Sequence, residues 1–394
     1  MAEPITLPVG RKTPLEPPEE LRRLRETAPM SRLAFPDGHV GWLVTRHATA
    51  RAVLADRRFS ARRELRHFPV TGGTRRRLDE PSPPGMFISA DPPNHTRYRR
   101  LLTGQFTVNR MRRLTPRIEE IVRARLDAMA QAGPPVDLVA EYALPIPSQV
   151  ICELLGVPYA DRDTFQRNTR VLLSLTATGQ EAEAAAGEIR AYIRTLVRAK
   201  QVQPTDDILG RLVAAGGLTE EELGNIGFLL LVAGHETTSN MLGLGTFTLL
   251  QHPDQLRALR EDPSLADNTV EELLRYNSII QFGTMRVALE DVEVDGHPVR
   301  AGETVVISIP AGNRDPERFD APETLDVTRP ASGHLSFGHG IHQCLGQQLA
   351  RIEMRVGYLE LFQRFPTLRL AVPADEIRTR DSGILGLDEL PVTW

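Results

Sequence analysis

The segment from Leu218 to Leu250 constrains this chain more than any other. It opens with Leu218-Thr219-Glu220-Glu221-Glu222, where Thr219 and Glu222 have the spacing of a capping box. It then runs through Gly227-Phe-Leu-Leu-Leu-Val-Ala-Gly234, apolar on every side. A helix that is hydrophobic all round has no face to give to water, so it must be buried and the rest of the chain must cover it. A chain of 394 residues can do that and still enclose a cofactor. No apolar run reaches the roughly 18 residues that cross a bilayer, so no membrane anchor is expected.

Helical periodicity dominates elsewhere. A second helix is expected from near Asn268, through Glu271, to Tyr276, and a third after Cys344. In the third, Leu345, Leu349, Ile352, Val356 and Leu359 mark an inward face. β-prone runs lie near His39–Thr45 and between Val292 and Ile309, the latter with the hairpin signal Asp295-Gly296. The stretch Pro69 to Gly85 is rich in Pro, Gly, Arg, Ser and Thr and reads as a long surface loop bordering a site. One domain over residues 1–394 is expected. The formal net charge of −4 argues against a nucleic-acid partner. Positive charge is carried almost wholly by arginine, the lysines being Lys12 and Lys200. Two cysteines exclude a disulfide scaffold, and the polar, proline-rich start from Met1 to Glu20 does not resemble a signal peptide, so a cytoplasmic protein is expected.

The most informative short segment is Phe337-Gly-His-Gly-Ile-His-Gln-Cys344-Leu-Gly346. Its glycines permit a tight loop and the close approach of a flat cofactor. A cysteine at the start of a helix is stabilised as thiolate, the form that pushes electron density through an iron toward dioxygen. Cys152, in the apolar run Val150-Ile-Cys-Glu-Leu-Leu155, reads as a structural cysteine. A zinc site of His339, His342 and Cys344 lacks a second ligand pair at zinc spacing. On the long helix, Ala233-Gly-His-Glu236-Thr237-Thr238 places an acid and two hydroxyls in an apolar context, a conflict of local rules that marks function. Thr237 is expected to bond to a carbonyl of the preceding turn, open the helix ladder and make a notch for dioxygen and water. The zinc-protease pattern fails because the fifth position is Ser239.

With Ala350 on the helix that follows, the cysteine segment resembles the haem-binding loop of the cytochromes P450, and the family's other landmarks follow in order along essentially the whole chain. The resemblance implies a mainly α fold with small β-sheets, a triangular prism of helices with haem b between the long central helix and the cysteine-bearing helix. It implies Cys344 as the axial ligand of the haem iron, with Phe337, Gly338, Gly346 and Ala233 against the ring. His95, Arg99, Arg286 and His342 would hold the propionates. Glu236 and Thr237 would relay protons to oxygen. Glu272-Leu-Leu-Arg275, together with Asn313 of Asn313-Arg-Asp-Pro-Glu-Arg-Phe319, would form a buried structural network.

The activity implied is a monooxygenase that uses O2 and takes electrons from a ferredoxin and an NAD(P)H-dependent ferredoxin reductase. An arginine belt at 97, 99, 100, 110, 112, 113 and 117 would steer that acidic partner. Phe87, Ile88, Leu230, Ile280, Phe282 and Leu385 would line an apolar substrate site. They point to a lipophilic small molecule, a polyketide- or macrolide-like secondary metabolite or a xenobiotic. The rivals are a peroxide-driven enzyme of the same fold and a haem sensor or carrier.

Overall fold

The computed structural model describes residues 3–71 and 80–394. Most of the proline- and glycine-rich stretch between Pro69 and Gly85 therefore lies outside the described residues. The rest forms two compact units, each discontinuous in sequence. One comprises residues 1–81, 244–344 and 373–388, the other 82–243, 345–372 and 389–394.

The first unit carries a five-stranded sheet. Strands Met30–Ala34 and Val40–Val44 pair antiparallel, Val40–Val44 runs parallel to Thr304–Ile307, and Thr284–Ala288 and Phe59–Ser60 extend the sheet. Two of these strands fall where β-prone sequence was found. Valines and isoleucines on the inner face, Val44, Val305 and Ile307 among them, pack with Trp42, Val53 and Leu335 into one apolar cluster. Asp295 and Gly296 both have positive φ, 49° and 75°, as a two-residue hairpin turn requires, and they join Val292–Val294 to His297–Val299. The helix expected from Asn268 begins earlier, at Ala266, and runs to Asn277. Asn268 does not cap it, because its side-chain amide donates to Val327 O and Arg329 O, both at 2.6 Å.

The second unit is helical apart from a small sheet of Val136–Asp137, Pro391–Thr393 and Arg369–Leu370. The long helix, Glu220–Gln251, starts in this unit and ends in the first. Its capping box forms: Thr219 Oγ1 accepts from the Glu222 N–H at 3.1 Å, and the Glu222 carboxylate accepts from the Thr219 N–H at 2.8 Å. The helix after the cysteine spans Gln347–Arg364, so Leu345 lies outside it. Leu349 and Val356 are buried as expected, but Ile352 and Leu359 are only half-buried. The buried stripe instead runs through Met354, Tyr358, Leu361 and Phe362. Tyr358 turns this face inward, its hydroxyl donating to Met241 O of the long helix at 2.5 Å. Lys200 is buried with Asp207, Nζ to Oδ2 2.5 Å, and also donates to Thr205 Oγ1 at 2.9 Å. Asp207 in turn caps helix Ile208–Ala215 through the Gly210 N–H.

In the first unit two histidines pin the chain beside the sheet. The rings of His39 and His67 stack at 3.7 Å, tilted by 3°. His39 Nε2 accepts from the Thr304 N–H at 3.2 Å, the His67 N–H donates to Thr304 Oγ1 at 3.1 Å, and His67 Nδ1 sits 2.8 Å from Asp37. Burial, then the neighbouring His67, lowers the His39 pKa; Asp37 and Glu303 only partly offset this. His39 is thus held neutral in the fold while the unfolded chain takes up a proton near pH 6.5. Stability is full above that pH and falls as pH drops through the unfolded histidine's range toward the lower folded value. Replacing His39 with Phe should therefore flatten the loss of thermal stability between pH 7.5 and pH 5.5. An unchanged slope would show that this stack does not titrate on unfolding.

Candidate active site

In the first unit the cysteine segment is a closed loop. The Gly338 N–H donates to Leu335 O at 2.7 Å, a single 3-10 turn spans Gly340–His342, and the Cys344 N–H returns to Phe337 O at 2.8 Å. Gly340 has φ of +72°, and a Cβ there would stand 2.4 Å from Leu54 O, so only glycine fits. Cys344 does not open the next helix as the sequence implied. Helix Gln347–Arg364 has Gly346 as its N-cap, and Leu345-Gly346 form a turn between thiol and helix. Cys344 is half-buried, whereas Cys152 is sealed in the core, where burial pushes its thiol up to about 12. Of the two, only Cys344 is chemically available.

Beneath the loop lies a fully buried ion pair. The Arg275 guanidinium grips Glu272 through two bonds of 2.7 Å, and both side chains have 0% exposure. Its remaining donors reach Asn313 O at 2.9 Å, Pro322 O at 2.7 Å and Thr324 O at 3.1 Å. Asn313 passes the arrangement on. Its Nδ2 donates to Ser278 and Ser336 hydroxyls, and its Oδ1 accepts from the Leu335 N–H at 2.6 Å. Leu335 is the residue on which the turn into the cysteine loop closes. Arg286 is buried on strand Thr284–Ala288, and His342 is half-buried in the loop. Segments 279–282 and 384–387 meet here as well: Ile280 bridges to Ile384, and the Leu385 N–H donates to Ile279 O at 2.8 Å. This brings Ile280, Phe282 and Leu385 into one region, Leu385 buried and the other two half-buried.

In the second unit the long helix supplies the other candidates. From Glu222 to Leu249 it is buried except at Val232, Ala233, Gly234 and Thr237, with Ala233 and Thr237 one turn apart on the same face. The Thr237 hydroxyl donates to Ala233 O at 2.9 Å, the bond expected from the sequence, but the expected opening of the helix is absent: helical conformation continues unbroken, because the carbonyl has a second lone pair for the hydroxyl. Glu236 is buried beside it. His235 donates from Nδ1 to Leu231 O at 3.0 Å and packs edge-on against Phe165, while its Nε2 stands 3.7 Å from the Glu236 carboxylate. The sequence reading gave His235 no role, although it lies next to the acid. Leu230 and Phe87 are buried, Ile88 is exposed, and Phe87 and Ile88 sit on one short turn, Phe87–Ser89.

Helix Asn94–Thr103 carries buried His95 and half-buried Arg99 one turn apart. Arg97 beside them is spent within the fold. It pairs with Glu222 and donates to Gly217 O at 2.6 Å, while the Tyr98 hydroxyl reaches Glu222 at 2.7 Å. Arg97 draws the Glu222 carboxyl down to about 2. The capping glutamate is thus also a clamp between two helices, which its capping pattern did not reveal. Arg117 is likewise engaged, with Glu153 and Glu120.

These residues fit a haem with a cysteine ligand. An available thiol sits on a glycine-rich loop braced from below. An otherwise buried helix exposes small residues beside a hydroxyl, and among the described residues no cluster of three or more His, Cys, Asp or Glu could hold a metal by itself. The sequence profile of the cytochrome P450 family matches residues 170–390, and the chain belongs to that family: it is a haem b-dependent monooxygenase. Over its full length it is 50% identical to cytochrome P450 105C1 of a Streptomyces species, spanning 99% of that protein. It is 46% identical to the pentalenic acid synthase of Streptomyces avermitilis, with 100% of this chain and 98% of the relative covered. Among solved structures, the mycinamicin VIII C21 methyl hydroxylase of Micromonospora griseorubida superposes with a TM-score of 0.92 at 38% identity, covering 99% of this chain and 100% of that one. No helix among the described residues is long and apolar enough to cross a membrane.

Removing one partner of a buried pair strands the other charge and costs about 3–5 kcal/mol. Arg275→Ala should lose that much stability in urea unfolding and leave the protein largely free of haem. Arg275→Lys should fare little better, since one ammonium cannot reproduce the fork on Glu272 and still reach three carbonyls. Full haem content in both variants would separate the network from the loop above it.

Proposed function

We propose that this enzyme activates O2 to hydroxylate or epoxidise a lipophilic secondary metabolite or xenobiotic. The observation that carries the reading is the buried acid Glu236 followed by half-buried Thr237 at the one opening of an otherwise buried helix. Bound haem supplies the centre at which dioxygen is reduced and one oxygen atom is delivered to carbon. Cys344 holds it through its thiolate, with Phe337, Gly338, Gly346 and Ala233 leaving room for the ring. By the family resemblance, His95, Arg99, Arg286 and His342 would hold the two haem carboxylates. Thr237 already donates its proton to Ala233 O, so its oxygen is left to accept from a water, and Glu236 replenishes that water's proton. Glu272, Arg275 and Asn313 act structurally.

Phe87, Ile88, Leu230, Ile280, Phe282 and Leu385 give the substrate an apolar lining with few polar anchors, which suits a large, weakly charged molecule. The relatives named for mycinamicin VIII and pentalenic acid support a biosynthetic, secondary-metabolite substrate, and a polyketide- or macrolide-like molecule is the reading we favour. Exposed Arg112 and Arg113 steer an acidic ferredoxin, itself reduced by an NAD(P)H-dependent reductase in the cytoplasm. The chain is taken to act as one catalytic domain over residues 1–394.

The reduced carbon monoxide complex should show the red-shifted Soret band of thiolate ligation, lost in Cys344→Ala and retained in Cys152→Ala. The opposite pattern would move the ligand to Cys152. With a surrogate ferredoxin and reductase, Thr237→Ala should keep its haem and its substrate-induced spectral shift. It should continue to oxidise reduced nicotinamide but divert most electrons to hydrogen peroxide, with product per nicotinamide down at least several-fold. Unchanged coupling would remove Thr237 from the relay. A peroxide-driven enzyme would be recognised by full turnover with peroxide and none with the electron-transfer partners.

A further inference from the structure

The second unit contains a cleft of about 480 Å³ that lies outside the proposed haem and substrate sites, although one of its arginines, Arg113, also belongs to the surface proposed to steer ferredoxin. Its walls come from helices Val108–Arg113, Thr115–Ala132 and Pro145–Leu155, with Asp206 and Arg211 closing one end. The apolar side is formed by residues such as Met111, Leu114, Ile118 and Leu154. The polar side carries four arginines, at 110, 113, 117 and 211, against two acids, Glu153 and Asp206. Both acids are already committed. Glu153 takes two bonds from Arg117, of 2.8 and 2.7 Å, and Asp206 takes Arg211 at 2.6 Å. Arg110 bonds only to the neutral amide of Gln105. Among the described residues, neither Arg110 nor Arg113 is paired with a carboxylate.

We propose that this cleft is a binding site for a small amphipathic anion, a carboxylate or sulfonate with an apolar body. Arg110 and Arg113 stand three residues apart on one helical turn and both line the cleft, so one anionic head can draw on two guanidinium forks, each able to bind an oxyanion in bidentate fashion. A free inorganic anion would satisfy them without using the apolar wall. A neutral lipophile would use the wall and leave the charge uncompensated. Only a ligand with both parts complements the cleft, whose volume is within the usual range for small-molecule sites. The site is separate from the haem chemistry and stands whether or not the substrate assignment above is right.

The test uses the holoenzyme saturated with an azole inhibitor, so that ligands of the iron and substrate cavity are excluded. Titration with 1-anilinonaphthalene-8-sulfonate at physiological ionic strength should give a saturable fluorescence increase that decanoate displaces. Arg110→Gln/Arg113→Gln should weaken binding at least tenfold. Leu154→Trp, which fills the apolar side without changing charge, should also weaken it. Arg112→Gln, on the same helix but outside the lining, should leave affinity unchanged. Equal weakening by Arg112→Gln would show only diffuse attraction to the arginine belt and overturn the proposal. Displacement by inorganic sulfate as effective as by decanoate would overturn it too. So would displacement by an acidic ferredoxin but not by decanoate, which would reassign the cleft to protein docking.

Discussion

The bidentate pair between Arg275 and Glu272 is the interaction on which the reactive loop rests. Neither side chain touches water, and an ion pair so placed is stabilising only when every donor and acceptor is satisfied. Here the satisfaction is thorough. Glu272 accepts from the Asp326 N–H as well as from Arg275, and Arg275 reaches backbone carbonyls contributed by residues 313, 322 and 324. An apolar replacement could be equally stable, but it could not fix three chain segments in register. What the pair contributes is definition: it sets where Asn313 lies, and Asn313 sets where the turn at Leu335 begins.

A second constraint comes from the long helix. Almost complete burial restricts the polar groups it can carry, and several of those present have a local reason, while Ser239 Oγ and the Asn240 amide are buried with no hydrogen-bond partner among the described residues. Glu222 caps and clamps, and His235 is held by Leu231 O and Phe165. Thr237 is held by Ala233 O at the exposed face. Buried polar groups that hydrogen-bond within their own helix cost little and leave the helix straight enough to pack along its length.

Much of this was legible in the sequence, for reasons that can be named. The long helix was legible because its apolar run and capping box are local signals. The cysteine loop was legible because glycines and a cysteine at fixed spacing have few other uses. The helix after the cysteine was misjudged in its facing, since a helix covered on several sides has no clean stripe, and Tyr358 rather than an aliphatic residue decides its orientation. Strands Phe59–Ser60, Val136–Asp137 and Arg369–Leu370 have only two residues each and carry no period to detect. Arg97 was grouped with surface arginines because nothing local shows that Glu222, far along the chain, claims it. His235 was overlooked because a histidine beside an acid is unremarkable until its burial is known.

The clamp of Lys200 on Asp207 has a practical corollary for this arginine-biased chain. Its only other lysine, Lys12, is exposed, while Lys200 is enclosed and paired. Of the two lysines, amine-directed reagents therefore reach Lys12 and not Lys200 on the folded protein. Coupling through a lysine side chain would tether the molecules at Lys12, giving a uniformly oriented layer on an electrode or bead without any engineered tag.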